Sequence, residues 1–101
     1  MYYDRARNPI TVEQYLELSK DPAYKIVQQD YVDEYFVSTV WLGVDHGWRI
    51  GEGIVFETMV FDAKTRNKSF FQERYLNERG AKEGHQWVLE QIRNGETEWL
   101  N

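Results

Sequence analysis

The chain has 101 residues, two histidines and no cysteine, and its 17 acidic and 12 basic side chains give a formal net charge of −5. A chain of this length forms a single domain, and a second domain would be too small to bury its own core. The acidic balance argues against direct nucleic-acid binding, which needs a basic surface. The absence of cysteine excludes disulfides, thiolate metal sites and thiol nucleophiles. We expect a cytoplasmic protein, because no apolar run approaches the roughly 20 residues of a membrane span and the first residues do not open a signal peptide.

The first predicted element is a short amphipathic helix over Thr11–Ser19. Thr11 followed three residues later by Gln14 is a capping box, in which each side chain bonds the backbone amide of the other residue. Asp21-Pro22 ends the helix, since proline disfavours the helical conformation in the residue before it. The apolar face of this helix is predicted to carry Val12, Tyr15, Leu16 and Ser19.

Four strands are predicted next, because four segments are rich in β-branched and aromatic residues. Asp45–Gly53, with three glycines, is predicted to be a loop, and Lys64–Lys68 a basic turn. The third strand is apolar on both faces except at Glu57 and Thr58, which favours a central place in the sheet. The four predicted strands are Tyr24–Tyr31, Tyr35–Val44, Ile54–Asp62 and Ser69–Leu76.

The last predicted element is a helix between the N-cap Asn77 and the C-terminal cap Asn94-Gly95. Trp99 and Leu100 are placed to fold back onto the sheet. The order α-β-β-β-β-α with short connections predicts an α+β fold, in which an N-terminal and a C-terminal helix pack on one face of a four-stranded antiparallel meander. The apolar stripe of the last helix consists of Ala81, His85, Val88, Leu89 and Ile92.

The face of the second strand that carries Tyr35, Val37, Thr39 and Trp41 is predicted to lie away from the helices. This face is too apolar to meet bare water. Our first expectation is a homodimer that buries two such faces against each other. The alternatives are a ligand-binding groove and coverage by the C-terminal tail.

Two segments of the chain are Ser-Thr-Val-Trp-Leu-Gly-Val-Asp-His (38–46) and Ile-Val-Phe-Glu-Thr-Met-Val-Phe (54–61). They resemble a pair of segments in a family of small proteins of tailed phages, mostly phages of actinobacteria, and of related bacterial proteins. Tyr3-Asp4-Arg5, Asp21-Pro22-Ala23-Tyr24 and Arg74-Tyr75 extend the resemblance over most of the chain. The resemblance implies a phage provenance. By analogy with small acidic phage proteins we expect a non-enzymatic accessory protein that binds a host macromolecule, for example the basic surface of a host protein, or that otherwise antagonises a host defence. The resemblance itself implies no mechanism.

Four residues are candidates for catalysis in a small hydrolase or isomerase, which is the second alternative function. Histidine can act as a general base oriented by a carboxylate, but Asp45 beside His46 could equally cap the amides of its own loop. Glu57 lies in an apolar strand and must be paired, hydrogen-bonded or neutral. It is either a ligand anchor or the ion-pair partner of Arg74, Lys25 or Arg49. His85 is either a satisfied core histidine or a member of this site, and no metal site is predicted because the four candidates lack close metal-ligand spacing. The four candidates are Asp45, His46, Glu57 and His85.

The basic turn Lys64–Lys68 is followed by Phe70 and Phe71, and cations beside aromatic rings suit a nucleotide. The first alternative function is therefore a protein that binds or sequesters a nucleotide or a signalling nucleotide. Otherwise the turn is a solvated hairpin tip. We expect no resident cofactor. The residues predicted to bind a ligand or partner are Trp41, His46, Trp48, Arg49, Glu57, Lys64 and Arg66.

Overall fold

The computed structural model describes residues 1–45 and 53–100. Four strands, β3 to β6, form an antiparallel sheet in which neighbours in the sheet are neighbours in the chain, and β1 and β2 form a small separate ribbon. The predicted α+β fold with a four-stranded meander is therefore confirmed. The elements in chain order are β1 (Tyr2–Tyr3), β2 (Pro9–Ile10), α1 (Val12–Ser19), α2 (Pro22–Lys25), β3 (Ile26–Val32), β4 (Tyr35–Trp41), β5 (Phe56–Asp62), β6 (Ser69–Tyr75) and α3 (Glu78–Arg93).

Helix α1 begins at the predicted capping box. The Thr11 hydroxyl accepts a hydrogen bond from the Gln14 amide at 3.1 Å, and the Gln14 side chain accepts one from the Thr11 amide at 2.9 Å. The predicted apolar face is wrong at Val12 and Leu16, which are exposed. The helix instead approaches the sheet through Tyr15, whose ring lies 5.8 Å from that of Trp41.

Asp21-Pro22 ends α1 as predicted and also begins a second helix. The Asp21 carboxylate accepts a hydrogen bond from the Ala23 amide at 3.0 Å, and proline at the first helical position has the backbone angle that a helix needs. Tyr24 and Lys25 are consequently helical, and the first strand of the sheet starts at Ile26, two residues later than predicted.

Helix α3 covers the face of the sheet that was predicted to lie away from the helices, so that assignment is wrong. Val37 and Val60 form one buried cluster with the α3 side chains Val88, Leu89 and Ile92. The face is covered because the apolar stripe of α3 requires an apolar partner, and this face supplies it. It offers no surface for the homodimer predicted there, and a dimer through another surface stays a prediction.

The predicted stripe and ends of α3 are confirmed. All five stripe residues are buried, the Asn77 side chain accepts a hydrogen bond from the Gly80 amide at 2.7 Å, and Gly95 takes the left-handed conformation (φ +75°) after the helix. Trp99 and Leu100 fold back against the cluster beneath α3, as expected. None of the helices found in the described ranges combines the length and apolar content that crossing a membrane would require.

Candidate functional site

A chain of hydrogen-bonded side chains crosses the sheet beneath α3. His85 Nε2 lies 2.7 Å from Asp30 Oδ2, and His85 Nδ1 lies 2.7 Å from Thr39 Oγ1. The Thr39 and Thr58 hydroxyl oxygens are 2.5 Å apart. His85, Thr39 and Thr58 are completely buried. We call Asp30, His85, Thr39 and Thr58 the buried polar chain.

The charges at one end of the buried polar chain set the direction of its hydrogen bonds. Burial would raise the pKa of Asp30, but hydrogen bonds from His85 and Gln28 lower it below its ordinary value. Burial lowers the pKa of His85, against the opposing effect of Asp30. A neutral histidine beside an ionised carboxylate must donate from Nε2 and accept at Nδ1. Thr39 therefore donates to His85 and accepts from Thr58.

The order carboxylate, histidine, hydroxyl in this chain is the order used in nucleophilic catalysis. A nucleophile must also meet its substrate, and the Thr39 hydroxyl is completely buried between His85 and Thr58. The arrangement therefore stabilises the interface between α3 and the sheet. This agrees with the interpretation of His85 as a satisfied core histidine.

Glu57 lies on the opposite face of the sheet and is paired across the strands. Its Oε2 accepts hydrogen bonds from Gln72 Nε2 at 2.5 Å and from Arg74 Nε at 3.1 Å. Arg74 stands directly opposite Glu57 in the register of β5 and β6, so the predicted pairing with Arg74 is confirmed. Because Glu57 and His85 lie on different faces, the structure does not bring the four candidate catalytic residues together.

Asp45 accepts a hydrogen bond from a backbone amide, as expected if it caps the loop that it begins. Its Oδ1 accepts a hydrogen bond from the Ile54 amide at 3.3 Å, which ties together the two ends of the connection between β4 and β5. His46, Trp48 and Arg49 lie outside the described residues. Within the described ranges no three histidine, aspartate or glutamate side chains are grouped so that they could hold a metal ion.

The face of the sheet opposite the helices carries a row of aromatic rings. The Tyr31 and Phe36 ring centroids are 4.8 Å apart, and those of Phe36 and Phe61 are 6.3 Å apart. The Arg66 guanidinium lies over this row, 4.1 Å from the Phe36 centroid and 5.3 Å from that of Tyr31. We call this surface the open face. It comprises Tyr31, Phe36, Ser38, Val40, Glu57, Met59, Phe61, Arg66 and Arg74.

The basic turn holds Arg66 in place over the open face. The Asp62 carboxylate accepts hydrogen bonds from the Lys64 and Thr65 amides at 2.9 and 3.0 Å, and these bonds lower the pKa of Asp62. Arg66 itself has a left-handed backbone (φ +55°). Lys64 is exposed, and Lys68 Nζ lies 5.1 Å from the Phe70 ring centroid. Two of the cations predicted to meet phosphates thus lie on aromatic rings of the protein itself.

Trp41 is part of the core and not of the open face. It is 1% exposed, and its indole N–H donates to the Tyr3 carbonyl at 2.9 Å. The prediction that Trp41 faces outwards is therefore wrong, because Trp41 lies on the face of the sheet that the helices cover. Sequence reasoning missed Phe36 and Phe61, although the period-two alternation of their strands places them on the face of Glu57.

The fold and these contacts define a small α+β protein whose sheet is covered by helices on one face and carries a row of aromatic rings on the other, in which Phe36 is buried and Tyr31 is exposed. Comparison with protein-family models, with curated proteins and with solved structures finds no match. The resemblance to proteins of tailed phages stays an expectation.

Proposed function

We propose that the protein acts without catalysis, by binding a host protein through the open face. The observation that carries this proposal is the aromatic row of Tyr31, Phe36 and Phe61 with Arg66 lying over it. Aromatic residues and arginine are enriched at the centres of protein interfaces, where they supply most of the binding energy. The phage provenance that the resemblance implies and the counter-defence role expected by analogy belong to this proposal.

The side chain of Arg66 is held above the rings by contacts that balance the cost of its backbone conformation. A left-handed conformation costs a residue other than glycine about 1–2 kcal/mol. An exposed cation–π contact returns about 0.5–1 kcal/mol, so the contacts of Arg66 with Phe36 and Tyr31 roughly offset the cost. The arginine is thereby preorganised above the rings and brings positive charge, which favours a partner surface with carboxylates around an apolar centre.

The edges of the sheet are less suited to a partner than its face. Each edge strand is interrupted by a register shift, in β3 between Ile26 and Gln28 and in β6 opposite Val60 and Phe61. Such bulges twist an edge and weaken its pairing with a further strand. Four strands of seven residues give the face edges of about 24 and 19 Å. The area of the face is therefore smaller than the roughly 800 Å² that each partner buries in a standard interface. We therefore expect a transient complex.

A cross-linking experiment with matched variants tests the proposal. Tyr31→Glu places a charge on the open face at a side chain that is 60% exposed, and Leu16→Glu does the same on α1 at one that is 54% exposed. Tagged wild type and both variants are cross-linked in host cells, and the captured proteins are identified by mass spectrometry. The leading candidate is then purified and its Kd is measured. We expect Tyr31→Glu to weaken binding at least about tenfold and Leu16→Glu to leave it unchanged.

Three outcomes would overturn the proposal. The first is the absence of any protein whose capture depends on Tyr31. The second is a native mass of twice the chain that Tyr31→Glu returns to a monomer, which would assign the open face to a homodimer. The third is a change in tryptophan fluorescence on adding a nucleotide that is lost in Arg66→Ala, which would favour nucleotide binding.

A further inference from the structure

A shallow groove of about 320 Å³ lies beside α1, on the side of the sheet opposite the open face. Ligand sites for small molecules span about 300–1,000 Å³, so this groove lies at the low end of that range and is large enough for one side chain. Its lining residues are Asp4, Ile10, Gln14, Glu17, Leu18 and Tyr24.

The apolar wall of the groove is fixed by the core. Ile10, Leu18 and Tyr24 pack against the buried cluster that contains Trp41, and the Tyr24 ring meets the Trp41 ring edge-on at 5.0 Å. The Tyr24 hydroxyl accepts a hydrogen bond from the Arg5 amide at 2.8 Å. The shape of this wall is therefore set before anything binds, which lowers the entropic cost of binding.

Two carboxylates give the groove its charge. Both oxygens of Asp4 accept hydrogen bonds from Asn8, at 2.8 and 3.2 Å, and since a carboxylate has about four acceptor positions, Asp4 is oriented and can still accept more. Glu17 pairs with Lys20 at 3.3 Å, but both side chains are more than 70% exposed. Such an exposed pair contributes little, so another cation can replace Lys20 at low cost.

We propose that the groove binds a lysine or arginine side chain of a partner protein. The methylene groups of the side chain pack on Ile10 and Leu18, and its cationic head meets Asp4 and Glu17. Lysine and arginine have this combination of an apolar stem and a charged end. An anionic ligand would be repelled, and a purely apolar one would remove water from the two carboxylates without replacing it. The proposal does not depend on the open face.

Amide chemical shifts of the isotope-labelled protein test this proposal directly. The probes are the capped tripeptide acetyl-Gly-Arg-Gly-amide, its lysine counterpart, and its citrulline counterpart, which has nearly the same shape without the charge. We expect the arginine and lysine peptides to shift the amides of Gln14 and Leu18 with a Kd on the order of 1 mM, and the citrulline peptide to shift neither. Glu17→Gln should weaken the binding of the arginine peptide several-fold. Glu13→Gln should leave it unchanged, because Glu13 is an exposed residue of the same helix outside the groove lining.

Equal shifts from the citrulline peptide, or equal affinities of Glu17→Gln and Glu13→Gln, would overturn the assignment. Tighter binding of putrescine than of the peptides would assign the groove to a free diamine and would overturn the assignment to a partner protein. Tyr31→Glu on the open face must leave these titrations unchanged, so failure here is distinguishable from failure of the proposed function.

Discussion

The hydroxyl pair of the buried polar chain permits a quantitative test of the hydrogen-bond direction inferred above. Thr39→Val removes the group that donates to His85 and accepts from Thr58. His85 Nδ1 then has no partner at a completely buried position, which costs about 1–3 kcal/mol. Thr58→Val removes one bond of Thr39 and leaves its bond to His85 intact, so we expect a smaller cost of about 0.5–1.5 kcal/mol.

The double variant separates a connected chain from two independent contacts. Once Thr39→Val is present, the Thr58 hydroxyl has already lost that partner, and removing it costs less than in the wild type. We expect the double variant to be more stable than the sum of the single changes predicts by about 0.5–1.5 kcal/mol. Thr39→Ser keeps the hydroxyl and should cost only about the 0.8 kcal/mol of a buried methyl group.

Urea unfolding near neutral pH, followed by tryptophan fluorescence, measures the free energy of unfolding of the wild type and of the four variants. The signal reports unfolding because the indole of Trp41 is buried in the core and changes environment on unfolding. Additivity of the two valine variants within about 0.3–0.5 kcal/mol would refute the reasoning. A Thr39→Ser variant as unstable as Thr39→Val would also refute it, since the loss would then come from packing and not from the donor to His85.

Three further predictions concern stability. Burial lowers the pKa of His85 below its ordinary 6.5, so as the pH falls the unfolded chain takes up this proton before the folded protein does. The free energy of unfolding should therefore decrease below about pH 6.5, by at most about 1.4 kcal/mol per pH unit. Urea titrations at several pH values should show a smaller slope in His85→Gln. Gly84→Ala adds a Cβ that overlaps the Tyr75 ring, and thermal unfolding should show a loss of stability of about 1–3 kcal/mol. The control Gly80→Ala should cost much less, because its Cβ meets side-chain atoms only at 3.2 Å or more. Thr11→Ala removes the cap of α1 and should cost about 1 kcal/mol, and Thr11→Ser, which keeps the cap, should restore most of that stability in the same measurement.

The features that sequence reasoning predicted correctly depend on residues close together in the chain or on the alternation of a meander. The capping box at Thr11 and the cap at Asn77 are local hydrogen bonds, and the pairing of Glu57 with Arg74 follows from alternation in two adjacent strands. The Asp21-Pro22 pair was interpreted only as a stop, although aspartate followed by proline is also a helix start.

Contacts between Asp30, Thr39 and His85 could not be predicted in the same way. They require the register of the sheet and the position of α3 along it, and both depend on packing between residues far apart in the chain. The face assignment failed because both faces of β4 and β5 are apolar, so alternation identifies the two faces without saying which one the helix covers.

The polar residues of the two faces nevertheless indicate which face the helix covers, which the apolar residues do not. His85 within the apolar stripe of α3 requires hydrogen-bond partners on the sheet beneath it, and Thr39 and Thr58, directly opposite each other in β4 and β5, can supply them only on the covered face. On the open face, Ser38 and Glu57 bond to neighbouring strands within the sheet and need no layer above them. Changes at an exposed side chain of the open face such as Tyr31 should therefore alter binding while the buried polar chain continues to hold the fold.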